Sequence, residues 1–80
     1  MKIADIKYLV ETYSLEQLRA AENSIIEEQR PNIEVPGNDE GEQLTHLYGA
    51  IWISNEIKTK DIKLAKAVRA FSQKVRNSIT

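Results

Sequence analysis

The chain has no cysteine among its 80 residues, which removes disulfide staples, thiolate catalysis and Cys-ligated zinc or iron–sulfur centres in one step. A single histidine, His46, leaves any metal to carboxylates and at most one imidazole. No apolar run approaches the ~18 residues of a membrane-spanning helix, and Met1 leads directly into a charged, amphipathic stretch without a secretory core. The expected compartment is therefore the cytoplasm. Glycine is scarce: Gly37 and Gly41 flank Asn38, Asp39 and Glu40, acids that would repel the phosphate a glycine-rich loop binds. Those acids also lack the alternating order of a calcium loop. Charge of either sign is not in excess, with 11 basic and 12 acidic residues, so coating nucleic acid through bulk charge is disfavoured. Nothing in this inventory identifies a reaction, and the expectation is a non-enzymatic chain without metal or cofactor.

At 9.1 kDa the chain has room for one small domain, spanning residues 1–80, and 41% hydrophobic with 29% charged residues is an ordinary globular mixture. Ordering the backbone and side chains costs roughly 1.5 kcal/mol per residue, which a small core barely offsets. Self-association that extends the core is thus a natural expectation.

Ile3, Ile6, Leu9, Val10 and Tyr13 recur every three or four positions and form one stripe of a first helix. Ser14 reads as the N-cap of a second, with Gln17 as its capping-box partner and Tyr13 stapling onto Leu18. That helix is expected to run to about Gln29 with Leu15, Leu18, Ala21, Ile25 and Ile26 inward. Pro31, Pro36 and Gly37 make residues 31–38 an irregular loop. Alternation at Ile33 and Val35 suggests that it runs extended across the bundle and plugs one end. Asn38 or Asp39 restarts a helix, with Asp39 and Glu42 at capping-box spacing.

The third helix is the most apolar. Leu44, Leu47, Tyr48, Ile51 and Trp52 form one face, and Ala50, Ile53 and Ile57 line another, as expected of a helix central to its bundle or lying in an oligomer interface. A last helix carries Leu64, Val68, Phe71 and Val75 on a tight stripe. A turn near 58–61, with Thr59 or Asp61 capping the new start, is expected between them, because their strongest stripes differ by roughly 130°. A continuous seam through His46, Ala50, Ile53, Ile57, Leu64, Val68, Phe71 and Val75 leaves an uninterrupted helix as the alternative. The fold class is all-α, a bundle of three or four helices. Its expected core is Ile6, Leu9, Val10, Leu18, Ile25, Leu44, Leu47, Ile51, Leu64, Val68, Phe71 and Val75.

The near-neutral total hides an asymmetry. Residues 1–40 hold 4 basic and 9 acidic side chains, whereas residues 41–80 hold 7 basic and 3 acidic. Lys63, Lys66, Arg69, Lys74 and Arg76 fall opposite the apolar stripe of the last helix, making a candidate interaction face. Such a row can be a solvated surface, dock on an acidic protein partner or a second copy, or neutralise phosphates. Nucleic acid ranks last of these, because no aromatic or glycine-rich element is interleaved with the cations. Glu16, Glu27 and Glu28 of the second helix are the complementary acids, suited to meeting the basic helix within one chain or between two copies.

Two polar residues fall within apolar stripes. Glu22 lies among Leu18, Ile25 and Ile26, where an unpartnered carboxylate is expensive. Hydrogen bonding or partial exposure would relieve it, and a catalytic role would require it to share a pocket with His46. His46 stands one turn beyond Glu42, a two-ligand spacing that lacks the second histidine of a zinc-binding helix. A packed, hydrogen-bonded imidazole is the simpler reading. Tyr8, off the first stripe, and Trp52, at the edge of the third, are the aromatics open to an interface.

Overall fold

A computed structural model describes the backbone of residues 1–79 and the side chains through residue 77. It is all-helical, with α1 at Ile3–Thr12, α2 at Leu15–Ile26, α3 at Glu40–Lys60 and α4 at Leu64–Ile79. Each boundary has a local cause. The Ser14 hydroxyl accepts from the Gln17 N–H at 3.2 Å while the Gln17 side chain accepts from the Ser14 N–H at 2.9 Å, so the expected capping box is closed. At the head of α3, Asp39 Oδ1 accepts from the Glu42 N–H at 2.8 Å. The Glu42 carboxylate reaches past the cap to the Asn38 N–H at 3.0 Å.

The second helix ends three residues earlier than expected. Glu28 takes the left-handed conformation at φ 60, its N–H bonds Ile25 O, and the Gln29 N–H bonds Ser24 O at 2.7 Å. This is a Schellman closure with glutamate where glycine is usual, so no residue before Pro31 reads as a stop signal. Helices α3 and α4 are separate, and the break lies at 61–63. Asp61, at φ 52, terminates α3 in the left-handed region rather than opening α4. Thr59 is no cap either, since its hydroxyl donates back to Asn55 O at 2.8 Å within α3.

Helix α3 is central: α1, α2 and α4 all pack on it, and the molecule measures 32 × 29 × 18 Å. Its thin dimension is close to two helix diameters. Ile6 and Leu9 of α1, Leu18, Ala21 and Ile25 of α2, Leu47, Ala50 and Ile53 of α3, and Ala67 and Phe71 of α4 are buried. Val35 is buried as well and Ile33 packs against the same core, so the 31–38 loop does plug the bundle.

Helix α3 is rolled relative to the expected face. Gly49 is the reason: a Cβ there would stand 2.8 Å from Ile6 Cδ1 and 2.9 Å from Phe71 Cζ, so α1 and α4 both close onto the bare backbone. The buried arc is centred on His46, Gly49, Ala50 and Ile53. Ile51 and Leu44 are only half-buried, and Tyr48 is 48% exposed at the edge of the Phe71 ring. Val10, Leu64, Val68 and Val75 also flank the core instead of filling it.

Helix α2 is rolled similarly, toward its small residue Ala21. Its buried arc of Leu18, Ala21 and Ile25 sets Ile26 about 110° away at 100° per residue. Ile26, expected inside, is consequently 62% exposed.

Candidate interaction surface

The apolar side of α4, centred on Ala67 and Phe71, lies against α3. Lys63, Lys66, Arg69, Lys74 and Arg76 are all exposed on its remaining circumference. Glu16, Glu27 and Glu28 are exposed on and just beyond α2. The acidic and basic helices scarcely touch each other, each packing on α3 instead. Among the described residues, Glu16, Glu27 and Glu28 form no ion pair with Lys63, Lys66, Arg69 or Arg76. Lys60, paired with Glu56 at 3.0 Å, is a local contact within α3.

Helices α1 and α4 also hardly meet, and a groove opens between them. Lys7 of α1 and Lys63, Leu64, Ala65, Val68 and Arg69 line a cleft of about 540 Å³. Beyond Lys7 it continues along α1 as a second cleft of about 500 Å³, which includes Ile3, Ala4 and Tyr8. The lining of the first cleft thus combines three apolar side chains with three cations and no carboxylate. None of Lys7, Lys63 and Arg69 has an ion-pair partner among the described residues. Sequence reading marked Lys63 and Arg69 but passed over Lys7, whose off-stripe position gave no hint that α4 would lie beside it.

His46 is fully buried and joins three segments. Its Nε2 accepts the Lys2 backbone N–H at 3.0 Å, and its Nδ1 lies 2.8 Å from Pro36 O. A carbonyl oxygen can only accept, so Nδ1 carries the proton and Nε2 presents its lone pair. One neutral tautomer then satisfies both bonds. Lys2, the residue preceding α1, has no side-chain cap, and the imidazole supplies the acceptor or donor for both the start of α1 and the loop. Asp5 Oδ2 approaches Nε2 only to 4.0 Å.

Glu22 is half-buried at the edge of the α2 arc, which is the partial exposure that relieves its cost. The clefts just described are lined by neither Glu22 nor His46, and both His46 ring nitrogens are occupied by backbone groups. The convergence that catalysis would require is thus not what the packing builds. No three His, Asp or Glu side chains among the described residues come together as a metal site. Nor is any described helix long and apolar enough to cross a membrane.

Tyr8 is 40% exposed and stands edge-on to Tyr13, ring centroids 6.2 Å apart. A hydrogen bond with the Tyr13 side chain, then desolvation, then the nearby Tyr13 and Glu34 charges, all raise its phenol above the ordinary value. Trp52 is half-buried, its ring tilted against Phe71 at 5.8 Å, and so belongs mainly to the α3–α4 contact.

Along its full length, residues 1–80, the sequence fits the profile of the family of unknown function DUF6952. The chain belongs to that family. No curated protein and no solved structure matches this DUF6952 member, so its surfaces must be interpreted from their own chemistry.

Proposed function

We propose that the chain is a small, non-enzymatic protein-interaction or structural module that works in the cytoplasm and associates with itself. The observation that carries this reading is exposed charge of opposite sign on helices that each pack on α3. The carboxylates Glu16, Glu27 and Glu28, on and just beyond α2, and the cations Lys7, Lys63 and Arg69 are solvent-facing without ion-pair partners among the described residues. Exposed apolar surface accompanies each set, Ile26 on the acidic side and Ala65 with half-buried Leu64 and Val68 on the basic side. Complementary charge around apolar contacts orients protein association. Sedimentation equilibrium from micromolar to millimolar concentration tests it: mass should rise with concentration, and a monomer throughout would end the self-association reading.

A second reading is nucleic-acid binding through α4. Its favouring observation is that Lys63, Lys66, Arg69, Lys74 and Arg76 are all exposed along about 20 Å of helix axis at 1.5 Å per residue. Binding of this kind weakens steeply with salt. A gel-shift series with single- and double-stranded DNA and RNA at low salt decides it, the absence of any shift removing the idea.

A further inference from the structure

The two charged surfaces carry complementary charge and each has apolar side chains beside it. The basic one is a cleft of about 540 Å³ between α1 and α4, lined by Leu64, Ala65 and Val68 together with Lys7, Lys63 and Arg69. The acidic one lies at the end of α2, where Glu28 also lines a cavity of about 320 Å³ with Arg30 and Glu40. Ile26, the last residue of α2 and 62% exposed, projects beside Glu27 and Glu28. Glu28 is fixed by its left-handed turn and the hydrogen bond from its N–H to Ile25 O. An exposed isoleucine next to two carboxylates complements, in polarity and charge, a cleft lined by apolar side chains and cations. Both halves of that fit are present in every copy of the chain.

We infer that the α1–α4 groove receives the C-terminal end of α2 from a second copy. Ile26 enters against Leu64, Ala65 and Val68, while Glu27 and Glu28 sit among Lys7, Lys63 and Arg69. This assignment rests on the self-association proposed above and specifies its surfaces. Two such contacts related by a two-fold axis close a dimer, whereas one contact per pair propagates into a chain. Sedimented mass separates these two assemblies. The rim charges make association weaken as salt rises toward a Debye length of a few ångströms.

Charge exchange tests the assignment. In K63E/R69E the groove becomes acidic, and in E27K/E28K the inserted end becomes basic. All four residues are exposed, and circular dichroism verifies that both variants stay folded. Each variant alone should associate about tenfold or more weakly than wild type, because like charges then face each other. Mixed together, the acidic groove of one meets the basic end of the other and the wild-type groove meets the wild-type end. The mixture should therefore recover association that neither variant shows alone. Ile26→Ser should weaken the wild-type interaction by about tenfold, as expected for withdrawing one aliphatic side chain from an apolar contact.

If wild type associates but neither charge variant changes it, this pair of surfaces is wrong while self-association survives. If both variants weaken but mixing restores nothing, the direct pairing of groove and α2 end is refuted. A wild type that remains monomeric at every concentration overturns the second copy as occupant and the self-association reading with it. The groove's chemistry would then point to an acidic helix of another protein.

Discussion

Replacing Gly49 by alanine tests the packing that organises the molecule, because two effects of known size oppose each other there. Alanine in a helix interior is favoured over glycine by about 1 kcal/mol, so a spacious site would become more stable. At Gly49 the new Cβ would lie 2.8 Å from Ile6 Cδ1 and 2.9 Å from Phe71 Cζ, against roughly 3.5–4.0 Å for an unstrained carbon contact. Both neighbours are fully buried, and overpacking of this kind costs typically about 1–3 kcal/mol. The net expectation is a loss of about 0–2 kcal/mol, the difference of the two terms. Gly41→Ala supplies the reference: at the exposed head of the same helix, its Cβ would meet only Asp39 Oδ1 at 3.4 Å.

Gly49→Ala should therefore fall below Gly41→Ala by about 1–3 kcal/mol, the overpacking cost isolated from propensity. Urea unfolding followed by circular dichroism reads this as a separation of about 1 M or more in midpoint, for a slope of about 1 kcal/mol/M in a protein of this size. Equal midpoints, or a Gly49→Ala variant more stable than Gly41→Ala, would refute the close approach of α1 and α4 onto α3. Truncating Phe71 to leucine supplies a double-mutant check. The penalty of Gly49→Ala should shrink in that background, since one of the two obstructing side chains has been shortened.

The remaining expectations concern the polar ties. His46→Leu removes an acceptor from the Lys2 N–H and a donor from Pro36 O, and should cost about 2–4 kcal/mol at one to two per orphaned group. Urea unfolding reads that loss, and faster amide exchange at Lys2 locates it; unchanged stability would mean that the imidazole ties nothing together. Ser14→Ala opens the capping box at α2 and should cost about 1 kcal/mol, a loss that should be absent if water replaces the hydroxyl without penalty. The Tyr8 phenol is raised above its ordinary value of 10.0 by the Tyr13 hydrogen bond, desolvation and nearby Tyr13 and Glu34 charges. A raised folded-state value means that the native state holds the proton more tightly, so this contribution to stability is intact below pH ~10 and declines as pH rises through the folded value. Tyrosinate absorbance of wild type against Tyr8→Phe should show the subtracted phenol titrating later than free tyrosine, and coincidence with free tyrosine would contradict the Tyr8–Tyr13 contact.

Much of the fold was legible because its signals were local. Ser14 with Gln17 and Asp39 with Glu42 marked two helix starts, and Pro31 with Pro36 marked the loop. What was not legible depended on partners distant in sequence. Gly49 reads as an ordinary mid-helix glycine until Ile6 and Phe71, from opposite ends of the chain, are seen to converge on it. That convergence rolls α3 so that Ala50 and Ile53 are buried while Tyr48 emerges. Periodicity gave the apolar width of the helix, but the neighbours determined its centre. The same limit hid Ile26, since apolar spacing cannot distinguish the edge of a buried arc from its middle.

The candidate surface was half legible for the same reason. Cations on α4 and acids on α2 are properties of single helices, visible from spacing alone. Their relation is not, because it depends on how α2 and α4 each pack on α3. Lys7 joins the basic set only because the 61–63 turn folds α4 back beside α1. In an 80-residue chain with a core this small, stability leaves little to spare for exposing Ile26 and opening an apolar groove. Both features forgo apolar burial within the monomer that a contact between copies would supply, and that gain is the physical case for testing the α2 end against the groove before any other pair of surfaces.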